Sequence, residues 1–350
     1  MQEKAAGQMS REELRALQLK SLEILRYFDR FCRQYKLRYF LCGGCCIGTV
    51  RHGGFIPWDD DIDLFMPRPD YERLKKIWER NVDRDGEGRA RYVLCRSDRD
   101  HFLRSMLTAI VDERTTFIKE RQADLDICHG VRLEILPLDG CPKGRLKRRI
   151  QILWALTYQV FNLQEAPTSK GKLLEWTGRV MLALLPTQRL RYCMWRLAEE
   201  QMSRYPFDQC SHITELCSRY QYMVNEYPKE VFEKAVFKEF EGERFPIPAG
   251  YHRYLTMAFG DYMTLPPENE QVAKHEAVVV DLERGYAQYP EAFGRGQRSG
   301  HEPASGVRGR GMERVRSGVS EKMCRKCAKD PEKRAEELQK GREKCVRKTL

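Results

Sequence analysis

The chain has 350 residues, 41% of them hydrophobic, which is enough apolar material for one large core or two small ones and excludes a chain disordered throughout. Its formal charge of +11 is unevenly placed. Of the 62 Lys+Arg, 17 lie from Gly294 onward, with 8 of the 51 Asp+Glu, which puts +9 on the tail and leaves only +2 on the first 293 residues. A near-neutral body and a tail without interleaved aromatics disfavour a nucleic-acid-binding protein, which would work through phosphate neutralisation.

The 13 cysteines are scattered, and no charged-then-apolar leader precedes them, so reduced thiols in a cytoplasmic protein are expected. No apolar run approaches the roughly 18 residues of a membrane-spanning helix. Cys42/Cys45 and Cys324/Cys327 have zinc-like spacing but lack a second pair or histidines at matching intervals.

Ser10 followed by Glu13 reads as a capping box, and Leu14, Leu17, Leu22, Leu25, Phe28, Cys32 and Tyr35 recur at helical spacing, so residues 1–36 are expected to contribute an amphipathic helix packed on the core. Leu37 to Leu41 has strand composition and stops at Gly43-Gly44. Asp61 to Phe65 predicts a second strand closed by Pro67, and Pro69 fits the first turn of a helix through Tyr71, Leu74 and Ile77. Tyr92–Cys95, Leu107–Val111 and Val131–Leu136 predict further strands, the last ending in a turn at Pro137 to Gly140. Residues 37–140 thus read as an α+β core. Residues 141–293 read as a helical region, with Arg145 to about Ser218 helical and broken at Pro167 and Pro186. Residues 294–350 read as a disordered basic tail, a Gly/Arg/Ser-rich linker followed by a charged segment with little apolar face.

Four aspartates stand within five positions at Asp59, Asp60, Asp61 and Asp63, and would repel one another unless a cation joined them. In a strand, Asp61 and Asp63 would share a face with Cα atoms about 6–7 Å apart, while Ile62 and Leu64 turned to the core. Such a pair can hold one or two divalent ions; the alternative is a solvated acidic turn. Leu133-Glu-Ile135 offers another carboxylate between apolar neighbours, able to lie beside the first if the strands pair. Gly43-Gly44, after a strand, would let the backbone approach a phosphate at a helix N-terminus, or would simply make a tight turn.

A glycine pair, then paired acids, then a third acid resembles the nucleotidyltransferase superfold. More closely, Tyr39–Met66, with Arg51-His-Gly-Gly-Phe-Ile-Pro-Trp-Asp-Asp-Asp-Ile-Asp63, resembles the LicD family of phosphocholine-type transferases, to which fukutin and fukutin-related protein are also similar. Asp112-Glu-Arg-Thr-Thr-Phe117, His129 to Asp139, and Phe259 to Pro267 with His275 beyond match in the same order, so the resemblance spans about residues 10–290. Where the family has Asp-Ile-Phe-Pro, this chain has Glu134-Ile-Leu-Pro137.

The resemblance implies a mixed nucleotidyltransferase-like sheet with flanking helices. It also implies transfer of a phosphoalcohol from a CDP-linked donor to a hydroxyl of a glycan or lipid-linked glycan at the cell surface. Asp61, Asp63 and Glu134 would be the catalytic and metal-binding acids for Mg²⁺, or Mn²⁺ in its place. Gly43, Gly44, Arg51, Trp58, Asp60, Thr116 and His129 would contact substrate, with Asp59 and Asp60 supporting the site through hydrogen bonds. Surface, core and structural roles are the respective alternatives for Arg51, Trp58 and the two histidines. A true nucleotidyltransferase that releases pyrophosphate is the competing enzyme reading. The basic tail offers peripheral contact with an anionic membrane at its inner face.

Overall fold

The computed structural model describes residues 9–165, 172–273 and 277–289; the expectations for the tail, for Cys324 and Cys327 and for His275 lie outside them. Helix α1 (Arg11–Tyr35) begins at the expected capping box: the Glu13 amide donates to Ser10 Oγ and the Ser10 amide to Glu13 Oε2, at 3.2 and 2.8 Å. Its Leu17, Leu22, Leu25, Phe28 and Cys32 face enters one core with the sheet.

Strand β1 (Phe40–Leu41) runs into α2 (Gly43–Arg51). After β2 (Asp63–Pro67) come α3 (Arg68–Asn81), β3 (Tyr92–Cys95), β4 (Thr108–Asp112), β5 (Thr116–Lys119) and β6 (Val131–Gly140). The sheet runs β1-β2-β6-β4-β3, with β2 parallel to β6 and the other neighbours antiparallel. The mixed sheet and its flanking helices are therefore those expected.

Strand β6 continues through Pro137, where a turn was expected. It pairs with β2 over Glu134–Leu138 along one edge; along the other it pairs first with β4, up to Ile135, and then from Leu138 with β7 (His212–Glu215). The Glu134 amide donates to Ile62 O on the β2 side at 2.9 Å. By alternation Pro137 points its nitrogen to the opposite edge, into the gap between β4 and β7, where no ladder donor is needed.

The expected helical stretch is α4 (Arg145–Leu163), α5 (Lys172–Leu184) and α6 (Gln188–Met202), but it stops there, and the region to residue 293 is not purely helical. Beyond β7 lie the short helix α7 (Tyr220–Met223), β8 (Tyr227–Pro228), a hairpin of β9 (Ala235–Phe240) and β10 (Glu243–Pro248), helix α8 (Tyr251–Phe259), and β11 (Ala277–Asp281) paired with β5. Helices α4 and α6 share a second core with Leu216, Cys217 and Met223. Arg68 joins this layer to the sheet by a bidentate pair with Asp139, both bonds 2.7 Å, and by Glu199 of α6. No helix among the described residues is long and apolar enough to cross a membrane.

Candidate active site

The parallel register between β2 and β6 pairs Asp63 directly with Glu134, so the third acid lies beside the first group, as the spacing allowed. Asp61 does not share that strand. β2 begins at Asp63, and Asp61 stands in the preceding loop, so the two-residue alternation expected of this pair does not apply. The loop instead folds Asp59, Asp60 and Asp61 together, each with a carboxylate oxygen within 4.8 Å of the others. Asp59, expected only to support the site, is a full member of this cluster.

The loop is held from three directions. Its own turn closes with the Asp59 amide on Ile56 O at 2.9 Å. From α1, Gln18 Nε2 donates to Asp59 O at 2.8 Å. From the hairpin, Glu241 accepts the Phe55 amide at 3.0 Å while pairing with Arg15 at 2.6 Å. Glu241 and Gly242 both have positive φ, 55° and 77°, which is the two-residue turn that matches strand twist and brings the hairpin tip against this loop.

At Gly44 a Cβ would meet the Asp59 carboxylate, with Asp59 Cγ at 3.1 Å and Oδ2 nearer still. The absence of a side chain thus lets an acid sit against the first turn of α2, where the helix dipole favours negative charge. Gly43 has φ +52° and donates its amide to Tyr254 Oη at 3.0 Å.

A cleft opens between α1 and the sheet, lined by Asp60, Asp61 and Glu134 together with Lys119 and Arg132. Sequence reasoning missed both cations. Lys119 Nζ pairs with Glu134 Oε1 at 2.9 Å. Arg132 Nη1 donates to Gln122 Oε1 at 3.0 Å, and its Nε and Nη2 are buried without a hydrogen-bond partner among the described residues. Arg132 stands two residues before Glu134, so strand alternation alone puts it on the same face; Lys119 ends a β-branched and aromatic run that could have been read as a strand.

Burial, followed by the charges of Asp61, Glu134 and Asp59, pushes Asp63 well above the usual carboxylate range, and its Oδ1 is buried without a hydrogen-bond partner among the described residues. A crowded, all-oxygen donor set with an unsatisfied carboxylate oxygen fits a hard divalent cation such as Mg²⁺ or Mn²⁺.

Other expected contacts lie elsewhere. Arg51 ends α2, roughly 12 Å along its axis from Gly43, and its Nη1 donates to the carbonyls of Tyr262 and Thr264 at 2.9 and 3.4 Å. Trp58 packs against the main core and edge-on to His52. Thr116 is buried with its hydroxyl on Arg284 O at 2.8 Å, in register with Asp281 of β11. His129 is buried against Tyr286, its Nε2 2.9 Å from Leu125 O, and burial lowers its pKa. Cys42 and Cys45 are buried thiols held well above their ordinary pKa by desolvation, so neither resembles a zinc ligand.

The LicD/FKTN/FKRP nucleotidyltransferase domain model matches residues 36–117, the span that holds α2, the aspartate loop and β2. Lipopolysaccharide cholinephosphotransferase LicD of Haemophilus influenzae is 34% identical over 275 residues, which cover 76% of this chain and 97% of that protein. Likeness at 34% identity over nearly the whole length of that relative establishes that the chain belongs to the LicD family of transferases.

Proposed function

We propose that the chain transfers a phosphoalcohol, phosphocholine first among the candidates, from a CDP-linked donor to a hydroxyl of a cell-surface glycan or its lipid-linked precursor. The observation that carries the reading is the pairing of Asp63 with Glu134 next to the Asp59–Asp61 cluster, in a chain so similar to a lipopolysaccharide cholinephosphotransferase.

In this transfer the glycan oxygen attacks the phosphorus that carries the alcohol, the bond to the CMP phosphate breaks, and CMP leaves. The protein's part is alignment and charge neutralisation. Asp61 and Asp63 would hold Mg²⁺ or Mn²⁺, with Asp59 and Asp60 within carboxylate reach of Asp61. When bound, the ion supplies positive charge to the phosphoryl oxygens. Arg132 and Lys119 bring further positive charge to the cleft, and the two unpartnered donors of Arg132 suit a phosphate. Glu134, held by Lys119, fits the group that accepts the hydroxyl proton. Gly43 and Gly44 keep the start of α2 free of side chains next to the cluster.

The test is release of CMP from CDP-choline, CDP-ribitol and CDP-glycerol, each with a glycan acceptor and with Mg²⁺, Mn²⁺ or chelator. Metal-dependent CMP release from one of them is the expected result. Pyrophosphate released from CTP, with the nucleotide left on the acceptor, would replace this reading by a nucleotidyltransferase.

A further inference from the structure

Among the described residues the four most exposed large apolar side chains are Leu184, Leu146, Leu153 and Trp176, at 73, 72, 63 and 62% exposure, and all belong to α4 and α5. With Ile150, half-exposed at 45%, Leu146 and Leu153 form an i, i+4, i+7 stripe along the outer face of α4. The stripe lies opposite the buried Gln151, Ala155 and Tyr158 that seat the helix, so it contributes nothing to the second core.

The charged side chains of α4 itself are all positive. Lys143, Arg145, Lys147 and Arg149 are exposed on the turns around Leu146, and α4 contains no acidic residue. Only the buried Arg148 among the neighbouring cations is engaged by a carboxylate, that of Glu226; the other four have no ion pair among the described residues. Cations gathered at the positive end of a 19-residue helix are unfavourable until an anionic partner offsets them. A hollow beside Gly144 is lined by Arg145, Arg148 and Arg149, with Glu226 as its one acidic wall residue, already paired with Arg148.

We propose that this face of α4 docks the enzyme on an anionic lipid surface. Leu146, Ile150 and Leu153 would enter the headgroup boundary, with Lys143, Arg145, Lys147 and Arg149 on lipid phosphates. An apolar stripe with a cationic flank is the pattern of an interfacial helix, whereas a partner helix would need only the stripe. The surface is built from residues of α4 and its entry, not from residues 294–350, and does not depend on which alcohol the donor carries.

The experiment is co-sedimentation of the full chain with vesicles of phosphatidylcholine, pure or doped with phosphatidylglycerol. Binding is expected only to the doped vesicles. The triple variant Arg145→Gln, Lys147→Gln, Arg149→Gln should weaken it by on the order of fivefold per cation removed. Leu146→Glu with Ile150→Glu should weaken it at least about tenfold, while turnover of a soluble acceptor is retained. Because the three cations are exposed, the Gln variant keeps the test intact should the Glu pair disturb folding. Absence of binding to doped vesicles, or binding that neither variant changes, overturns the proposal. So does a parent that sediments as a dimer and a Leu146→Glu, Ile150→Glu variant that sediments as a monomer, because the face would then cover a second copy.

Discussion

Gly44→Ala separates the site from the fold. The added methyl would sit at 3.1 Å from Asp59 Cγ and closer to Oδ2 than real Cβ atoms come, so the Asp59 carboxylate must withdraw by roughly 1 Å. The displaced atoms are the end of one side chain, and alanine is favoured over glycine inside a helix by about 0.5–1 kcal/mol, so the two effects nearly offset. Thermal melting should therefore stay within about 4 °C of the parent. Turnover should not follow. A misplacement of about 1 Å costs on the order of a hundredfold, or about 2.7 kcal/mol of barrier, if Asp59 helps to hold the ion. The neighbouring Gly43→Ala is the control: it meets no atom within 4 Å among the described residues, but its φ of +52° should cost about 1 kcal/mol of stability without touching Asp59. The assays are melting temperature and Mg²⁺-dependent CMP release. A Gly44→Ala enzyme with parental turnover would show that Asp59 has no part in the site, and a collapsed melting temperature would make Gly44 a packing residue only.

Asp61→Asn, Asp63→Asn and Glu134→Gln should each lose about a hundredfold or more in metal-dependent turnover, yet the two Asp variants should melt in chelator at or above the parent temperature, since each relieves repulsion within the cluster, whereas Glu134→Gln also gives up the pair with Lys119. Mg²⁺ at about a hundred times its Kd should stabilise the parent by about 2.7 kcal/mol and Asp63→Asn far less, read as melting with and without the ion. Burial raises Glu215 from 4.5 to about 7, against the lowering effect of its bonds from Tyr227 and Ser218. A raised folded-state value means that its stabilising contribution is complete below about pH 4.5 and is lost as pH rises through about 7, a fall of about 3 kcal/mol. Glu215→Gln should flatten that part of the stability profile in denaturant titrations, and an unchanged slope would contradict it. Arg51→Ala should lower stability by about 1 kcal/mol through the lost carbonyl contacts to Tyr262 and Thr264 and leave the donor KM unchanged; a raised KM would return Arg51 to the diphosphate.

Local pattern was enough to place several parts of this protein. The capping box and apolar spacing placed α1, because helix entry and amphipathicity are written within a few residues of each other. Leu133-Glu-Ile135 declared a strand acid by its apolar neighbours, and the register then put it beside Asp63. Tertiary structure decided the rest. Asp59 joins Asp60 and Asp61 because Gln18 from α1 and Glu241 from a hairpin 182 residues later hold the loop, and no local spacing encodes contacts at that separation. Lys119 reaches Glu134 from a separate strand pair, β5 with β11, that forms only once residue 277 onward returns to residue 119. Pro137 reads as a turn until the gap between β4 and β7 leaves its missing donor without consequence. Thr116 and His129, which the motif order marked for substrate, were claimed by the packing of that same returning segment, because a buried hydroxyl or imidazole takes the nearest carbonyl whatever its neighbours in sequence suggest.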